Sequence, residues 1–337
     1  MPNLYSPCVL CPRTCGVDRL AGETGYCGET AVLRIGTAVI YRGEEPPLIG
    51  TGGSGTIFIS GCNLGCVYCQ CYQISQGEKG ASALGRAVSA VEFAGICVKL
   101  QDNGAENINI VTGSHAVPAV IEGLIAAKKA GVQIPVLWNS SGYECVEALE
   151  LLKRHVDIFM PDMKTLDSEI SAKFCNAPDY PAVASAAVKK MIEIVKEKSP
   201  ENALAAKLPA LAAKLPAREK VIIRHLILPG YLESTRSVLR WYSENVKDFA
   251  ALSLMTQYTP VLAREKSLAE RAPKRYVNKE DFEMVMGWLE ELGIDDGFYQ
   301  EPLTGEEWLP EFTQENPFPS EIAAPVWSGT KNLTSQF

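Results

Sequence analysis

The residue types most able to do chemistry are cysteines, of which the chain has eleven. Cys62, Cys66 and Cys69 stand in the run Gly61-Cys62-Asn63-Leu64-Gly65-Cys66-Val67-Tyr68-Cys69-Gln70, spaced C-x3-C-x2-C. Thiolate is the usual ligand of iron–sulfur clusters, so three on one loop can hold three irons of a [4Fe–4S] cubane. A fourth cysteine is not needed if the fourth iron must stay open for a small molecule. The competing readings are a zinc knuckle or unliganded thiols. Structural zinc favours paired C-x2-C units and four ligands. A preceding apolar strand candidate, Thr56-Ile57-Phe58-Ile59-Ser60, and the aromatic Tyr68 favour the cluster.

A second set, Cys8, Cys11, Cys15 and Cys27, is spaced C-x2-C-x3-C-x11-C. Four thiols can close a tetrahedral zinc site or ligate a fully coordinated [4Fe–4S] cluster. Spacing does not choose the metal. The C-x2-C pair, and the need of a short Gly-rich module for a staple, lean to zinc.

These loops need elements to position them. Residues 1–52 read as a small cysteine-rich metal-binding module with little helical periodicity. From Thr56 onward strand-like and helix-like segments alternate. Strands are expected at 56–60, 106–112, 134–138, 156–160, 221–228 and 249–256. Helices are expected at about 87–101, 117–130, 143–154, 168–175, 182–198, 232–245 and 279–292. The strands are apolar nearly throughout, as parallel strands covered on both faces should be. Six strand–helix units make an α/β fold, a partial (β/α)6 barrel over 53–262, followed by a C-terminal extension, 263–337, packing on it. Such barrels place chemistry on loops at the carboxyl ends of their strands. The Cys62–Cys69 loop follows the first of them.

Polar residues gather at the other strand ends. Thr112-Gly113-Ser114-His115 follows the second strand, where glycine lets backbone approach a ligand closely. The alternative is an ordinary turn. Asn139-Ser140-Ser141-Gly142 follows the third and can serve a ribose or a hard cation. The fourth ends in Met160-Pro161-Asp162-Met163-Lys164, where Asp162 and Lys164 share parity and face one site. Burying that pair without function would be costly. In the fifth strand Arg224 and His225 are adjacent and so face opposite sides. Either could instead be a satisfied core group.

The cysteine run resembles that of the radical S-adenosylmethionine (SAM) superfamily, and more narrowly the pyruvate formate-lyase activating enzymes and their homologues. Those activating enzymes carry a Met-x-Asp-x-Lys run similar to Met160–Lys164, and a D-T-N-G-like run where Asn139-Ser140-Ser141-Gly142 stands. The resemblance implies a [4Fe–4S] cluster on Cys62, Cys66 and Cys69 whose open iron chelates SAM. An electron then splits a sulfur–carbon bond, and the deoxyadenosyl radical abstracts hydrogen. It implies Lys164 at the SAM carboxylate and Arg224, rather than His225, inside the barrel near SAM and substrate. Both are the expected catalytic residues, with Tyr68, Gly113, Ser114, His115, Asn139, Ser140, Ser141 and Asp162 around the cofactor. It also implies a monovalent cation framed by Asn139, Ser140, Met160 and Asp162. Reduced flavodoxin or ferredoxin would supply the electron.

The chain departs from the pattern in places. The superfamily has a Gly-Gly-Glu-like stretch where Gly113-Ser114-His115 stands, and Asn139 replaces a carboxylate. Activating enzymes often have a histidine near Thr256-Gln257-Tyr258-Thr259-Pro260, and this chain has none there. Cys71 stands where asparagine is common; it is read as a space-filling thiol, with a substrate-side thiol or spare ligand as alternatives. The run Cys11-Pro12-Arg13-Thr14-Cys15-Gly16, with the later Gly25-Tyr26-Cys27-Gly28, is similar to one branch of these homologues. That resemblance covers nearly the whole chain; resemblance to the activating enzymes themselves covers about 52–260.

The composition limits the rest. A hydrophobic content of 47% supports a sizeable core, and a net charge of -8 without a basic run argues against nucleic acid. No run reaches membrane-helix length and no signal peptide is evident, so the protein is expected in the cytoplasm, off the membrane. Its remaining cysteines, Cys97, Cys145 and Cys175, then read as reduced core thiols. Leu204–Ala210 and Leu211–Ala217 both read LAAKLPA. Pro209 and Pro216 would break a helix there, so the repeat reads as a surface insertion. The expected function is hydrogen abstraction from a protein or peptide, with glycyl-radical activation as one form. The alternatives are a radical SAM enzyme for a small molecule and a non-catalytic iron–sulfur electron carrier.

Overall fold

The computed structural model describes residues 4–75, 84–198, 215–260, 271–302, 305 and 309–330. In chain order its elements are β1 (Arg34–Tyr41), α1 (Pro46–Ile49), β2 (Ser54–Ile59), α2 (Tyr72–Ser75), β3 (Arg86–Ala87), α3 (Ala90–Asp102), β4 (Ile108–Val111), α4 (Val117–Lys129), β5 (Val136–Ser140) and α5 (Val146–Leu152). They continue with β6 (Ile158–Pro161), α6 (Ser168–Cys175), α7 (Tyr180–Glu197), β7 (Ile222–Leu226), α8 (Leu232–Asn245), β8 (Ala251–Met255), α9 (Lys279–Glu291), β9 (Phe298–Tyr299) and β10 (Ala323–Ser328).

β2, β4, β5 and β6 pair in parallel, and so do β7, β8 and β9. Parallel bridges Phe159–Val221 and Asp162–Arg224 join the two sets. The series β2-β4-β5-β6-β7-β8 is therefore one curved parallel sheet, the open wall of a partial (β/α) barrel. Ile158, Phe159 and Met160 of β6 are fully buried, as a two-sided strand requires. The helices begin where side chains can cap them. Ser89 and Glu92 form a capping box on α3, Asp167 caps α6, and Asn278 with Asp281 boxes α9. On α7 the residues Tyr180, Ala184, Ala187, Val188, Met191 and Val195 recur at helical spacing and are buried.

Two corrections to the expected layout follow. β1 lies antiparallel between β2 and β10, so residues 34–41 belong to the main sheet and not to a separate 1–52 module. Its alternation is masked in sequence because nearly every residue is buried: packed on both faces, it reads as an apolar run. The C-terminal stretch is also built into the sheet, through β9 on β8 and β10 on β1. Most of the LAAKLPA repeat lies outside the described residues. No helix among the described residues is long and apolar enough to cross a membrane.

The barrel floor is apolar. Leu48 of α1 packs with Leu137, Ile158, Met160, Ile222 and Ala251. Polar residues enter one pleat further along the strands, towards the carboxyl-terminal mouth.

Candidate active site at the barrel mouth

Side chains alternate at the strand ends. Asn139 and Ser141, Asp162 and Lys164, Arg224 and Leu226, and Met255 and Gln257 are half-buried, while Ser140, Met163, His225 and Thr256 between them are buried. One parity class thus lines an opening at the mouth and the other packs against the helices.

Cys62, Cys66 and Cys69 stand over this mouth, each half-buried. Burial, then the neighbouring Cys66 and Cys69, pushes the Cys62 thiol up. Burial, then Cys66, does the same to Cys69. A hydrogen bond with Cys175, then burial, raises Cys66. The Lys164 ammonium lies close enough to oppose the rise at all three. Three mutually neighbouring thiols under one cation fit a cluster that seats each thiolate on its own iron. No group of three or more His, Cys, Asp or Glu side chains among the described residues stands ready to hold a single metal ion. A cubane does not ask its ligands to converge on one point.

Lys164 Nζ donates to Asp162 Oδ2 at 2.6 Å. Burial alone would depress this ammonium; Asp162, then Cys66 and Tyr68, outweigh it and hold it well above its usual range. Tyr180 fixes the segment. Its hydroxyl accepts from the Lys164 amide at 3.0 Å and lies within donating distance of the Asp162 and Ser141 carbonyls. Tyr68 packs edge-on against Phe174 and Tyr258, its hydroxyl 3.7 Å from Cys175 Sγ. Cys175 is a buried core thiol, as expected, that also meets the Tyr68 hydroxyl; Cys97 is fully buried in α3.

Arg224 faces the barrel and His225 faces α8, as adjacency in a strand demands. His225 Nδ1 and Nε2 pair with the Met163 carbonyl and Thr235 Oγ1, and burial lowers its pKa to about 4. The Arg224 guanidinium is bidentate on Glu45, at 2.7 Å and 2.6 Å, and also contacts Glu44. Asn109 donates to Glu44 at 2.8 Å. Burial raises Glu44, and although burial also works on Glu45, Arg224 outweighs it there and lowers that carboxyl. Among the described residues Arg224 is thus already held by two carboxylates. These glutamates escaped the sequence reading because Arg42-Gly43-Glu44-Glu45-Pro46-Pro47 looks like a polar loop. Two acids directly before two prolines, between an apolar strand and Leu48, were the available signal.

Glu144 is a third buried acid that pattern alone does not reveal. It accepts from Ser114 Oγ at 3.0 Å, Trp138 Nε1 at 2.7 Å and Ser140 Oγ at 2.7 Å. The Ser114 and Ser140 hydroxyls are thereby committed to framework rather than cofactor. His115 is half committed: Nε2 pairs with the Ser60 carbonyl at 2.8 Å, Nδ1 is buried without a partner among the described residues, and burial lowers the pKa to about 4. Gly113 is small because a Cβ there would lie 2.4 Å from the Trp138 ring. Ser141 Oγ is buried without a partner among the described residues, so it remains available to a ligand. The groups expected to frame a monovalent cation already have partners of their own, though each carbonyl keeps a second lone pair. Asp162 is paired with Lys164, and the Asn139 and Ser140 carbonyls accept backbone amides of Thr112 and Asp162. Cys71 packs beside Tyr41, Leu84 and Val111, against the phenylalanine cluster of Phe58, Phe312 and Phe318.

The N-terminal cysteines form their own neighbourhood. Cys8 and Cys11 are buried and Cys15 and Cys27 half-buried. Cys11 lies within electrostatic reach of Cys27 and Cys15, and Cys27 of Cys8. The Tyr26 amide donates to Cys15 Sγ at 3.3 Å. This thiol set suits a zinc or iron–sulfur centre in its chemistry, though its sulfurs would have to draw together to grip one ion.

Comparison with known proteins follows the same lines. Residues 56–240, more than half of the chain, match the family model of the Radical SAM superfamily. An uncharacterized protein of Methanocaldococcus jannaschii, MJ0674, is 29% identical over 298 residues, 87% of this chain and 77% of that protein. Streptococcus suis SuiB bound to its precursor peptide SuiA aligns with a TM-score of 0.47 and 15% identity, over 71% of this chain and 46% of SuiB. The chain thus spans under half the length of that structure. A domain of pyruvate-formate lyase-activating enzyme from Bacteroides vulgatus aligns with a TM-score of 0.33 and 13% identity, over 55% of this chain and 89% of the domain.

Proposed function

The chain belongs to the radical SAM superfamily, and we propose that it cleaves S-adenosylmethionine reductively at a [4Fe–4S] cluster on Cys62, Cys66 and Cys69 and abstracts hydrogen from a protein or peptide. The observation that carries this reading is the meeting of those three thiols with the Lys164–Asp162 pair at the barrel mouth. Cys62, Cys66 and Cys69 would hold the cluster, which would supply the electron for reductive cleavage of SAM and so the means of hydrogen abstraction.

The chain's own groups do the rest. Lys164 binds the SAM carboxylate, exchanging part of its contact with Asp162 for the ligand. Asp162 keeps that ammonium charged and aimed. Ser141 Oγ gives the cofactor a hydroxyl. Arg224, already balanced by Glu44 and Glu45, contributes a donor edge suited to a neutral carbonyl such as a peptide amide, more than to a carboxylate. Leu226 and Met255 line the mouth between these groups and limit water near the radical. The Met160–Lys164 likeness to activating enzymes favours a protein or peptide substrate, with glycyl-radical activation as the specific form. A reduced flavodoxin or ferredoxin is the proposed electron donor.

The test is anaerobic reconstitution with iron and sulfide, then reduction in the presence of SAM. Release of 5′-deoxyadenosine is the expected result. A protein that carries the reduced cluster yet releases none would leave only the electron-carrier reading.

A further inference from the structure

The two cysteine loops are in contact, and one side chain spans them. Arg13 lies inside the first, between Cys11 and Cys15. Its Nε donates to the carbonyl of Asn63, the residue after Cys62, at 2.9 Å. Its Nη1 donates to the carbonyl of Asn176, the residue after Cys175, at 2.8 Å. The guanidinium stacks 3.8 Å from the centre of the Tyr26 ring, beside Cys27, and 5.1 Å from that of Tyr143. The Asn63 side chain reaches back to both partners: its amide donates to the Tyr143 carbonyl at 2.6 Å and lies beside the Cys11 thiol.

Close packing repeats the link. At Gly61, φ is +82°, and a Cβ would stand 2.4 Å from Glu29 Cγ and 3.0 Å from the Cys27 carbonyl. At Gly65 a Cβ would stand 2.8 Å from the Tyr26 hydroxyl. Arg13 Nη2 is buried without a partner among the described residues. An unmet buried donor is a cost that a fold carries only where other contacts offset it.

We propose that Arg13 is a positioning residue through which the N-terminal module holds the cluster loop, so that metal on Cys8, Cys11, Cys15 and Cys27 governs the order of residues 61–70. Metal there fixes the Cys11–Cys15 turn and the Tyr26–Cys27 turn, which together set the plane of the guanidinium. That plane aligns its two donors with the carbonyls of Asn63 and Asn176. Losing the metal frees the turn; the cluster loop then loses its direct restraint at Asn63, and Asn176, whose side chain donates to the Gly65 carbonyl at 2.7 Å, loses its own. The cluster assignment on Cys62, Cys66 and Cys69 underlies the spectroscopic part of this proposal, and the iron lost between wild type and the Cys62/Cys66/Cys69 triple-Ala variant tests that assignment separately.

The experiment uses the full chain, reconstituted anaerobically, as wild type, Arg13→Ala, Arg13→Lys, Cys15→Ser and the Arg13→Ala/Cys15→Ser double variant. Amide hydrogen exchange is read across residues 61–70, with 136–140 and 222–226 as fold controls. The electron paramagnetic resonance (EPR) spectrum of the reduced cluster is titrated with SAM. In Arg13→Ala, exchange across 61–70 should rise, and the SAM concentration needed for the spectral change should increase at least about tenfold, because the loop that seats the cluster is no longer held in place. The control strands should stay as in wild type. Arg13→Lys should not rescue, because a point charge cannot reproduce the planar fork. Cys15→Ser should raise exchange in the same residues, and the double variant should add nothing further. Wild-type exchange across 61–70 in either single variant would overturn the proposal. So would loss of the control strands in both Arg13 variants, since Arg13 would then hold the whole fold rather than the loop.

Discussion

The two cysteine loops are close in space and unlike in setting. The loop of Cys62, Cys66 and Cys69 leaves the end of a buried parallel strand and overhangs a mouth lined by Asp162, Lys164 and Arg224. The loop of Cys8, Cys11, Cys15 and Cys27 follows no strand and packs against Arg13, Arg19, Tyr26 and Asn63. One set has three thiols facing the Lys164 ammonium; the other has four thiols among arginine and aromatic neighbours. Cysteine count and spacing suggest metal at both. The strand end and the facing cation are what make only the first a place for chemistry.

The sharpest way to break this contrast is to replace Cys62, Cys66 and Cys69 together by Ala. SAM cleavage should disappear, while one zinc or about four irons per chain should remain on the N-terminal set, consistent with a complete ligand shell. Metal analysis and 5′-deoxyadenosine release check both halves. Persistent cleavage would assign the reaction to the wrong loop.

Next in size is the frame beneath the mouth. The His225 pKa of about 4, against 6.5 for an exposed imidazole, means that the folded state resists protonation. Its stabilising contribution is complete above pH 6.5 and is lost as pH falls towards 4, on the order of 3 kcal/mol. His115, also near 4, adds a like share, so urea titrations should show a combined slope that His225→Gln reduces by about half. An unchanged slope would mean that other groups set the acid limit.

Lys164→Met comes third. Charge-assisted hydrogen bonds contribute roughly 1.5–3 kcal/mol, so SAM should bind about ten- to a hundredfold more weakly. The N-terminal metal should not change. Affinity within twofold of wild type would remove Lys164 from the SAM site.

The smallest effect is expected from deleting one LAAKLPA copy. Loop closure costs only about 0.6 kcal/mol per doubling of length, so cluster content and basal SAM cleavage should hold. Loss confined to activity on a protein substrate would mark the insert as a docking element.

Much of the scaffold was legible because parallel strands and amphipathic helices advertise themselves. The expected helices at 117–130, 168–175 and 232–245 match α4, α6 and α8 to within a residue. The opposite facing of Arg224 and His225 followed from adjacency alone. What stayed hidden depends on distant pairing. β1 needs β2 and β10 to be recognised as a strand, Glu44 and Glu45 need Arg224, and Glu144 needs three donors from two other strand ends. Cys175 lies far along the chain from Cys66 and meets it only once α6 docks. Ser114 and Ser140 carried the right chemistry for a ligand, yet the fold spends their hydroxyls on Glu144.

The most direct measurement is the EPR spectrum of the reduced, reconstituted protein before and after SAM is added. If Cys62, Cys66 and Cys69 leave one iron open beneath Lys164, SAM must change the signal of that cluster, and the change must vanish in the Cys62/Cys66/Cys69 triple-Ala variant. A wild-type protein with a full complement of iron on that loop and a spectrum indifferent to SAM would contradict the account.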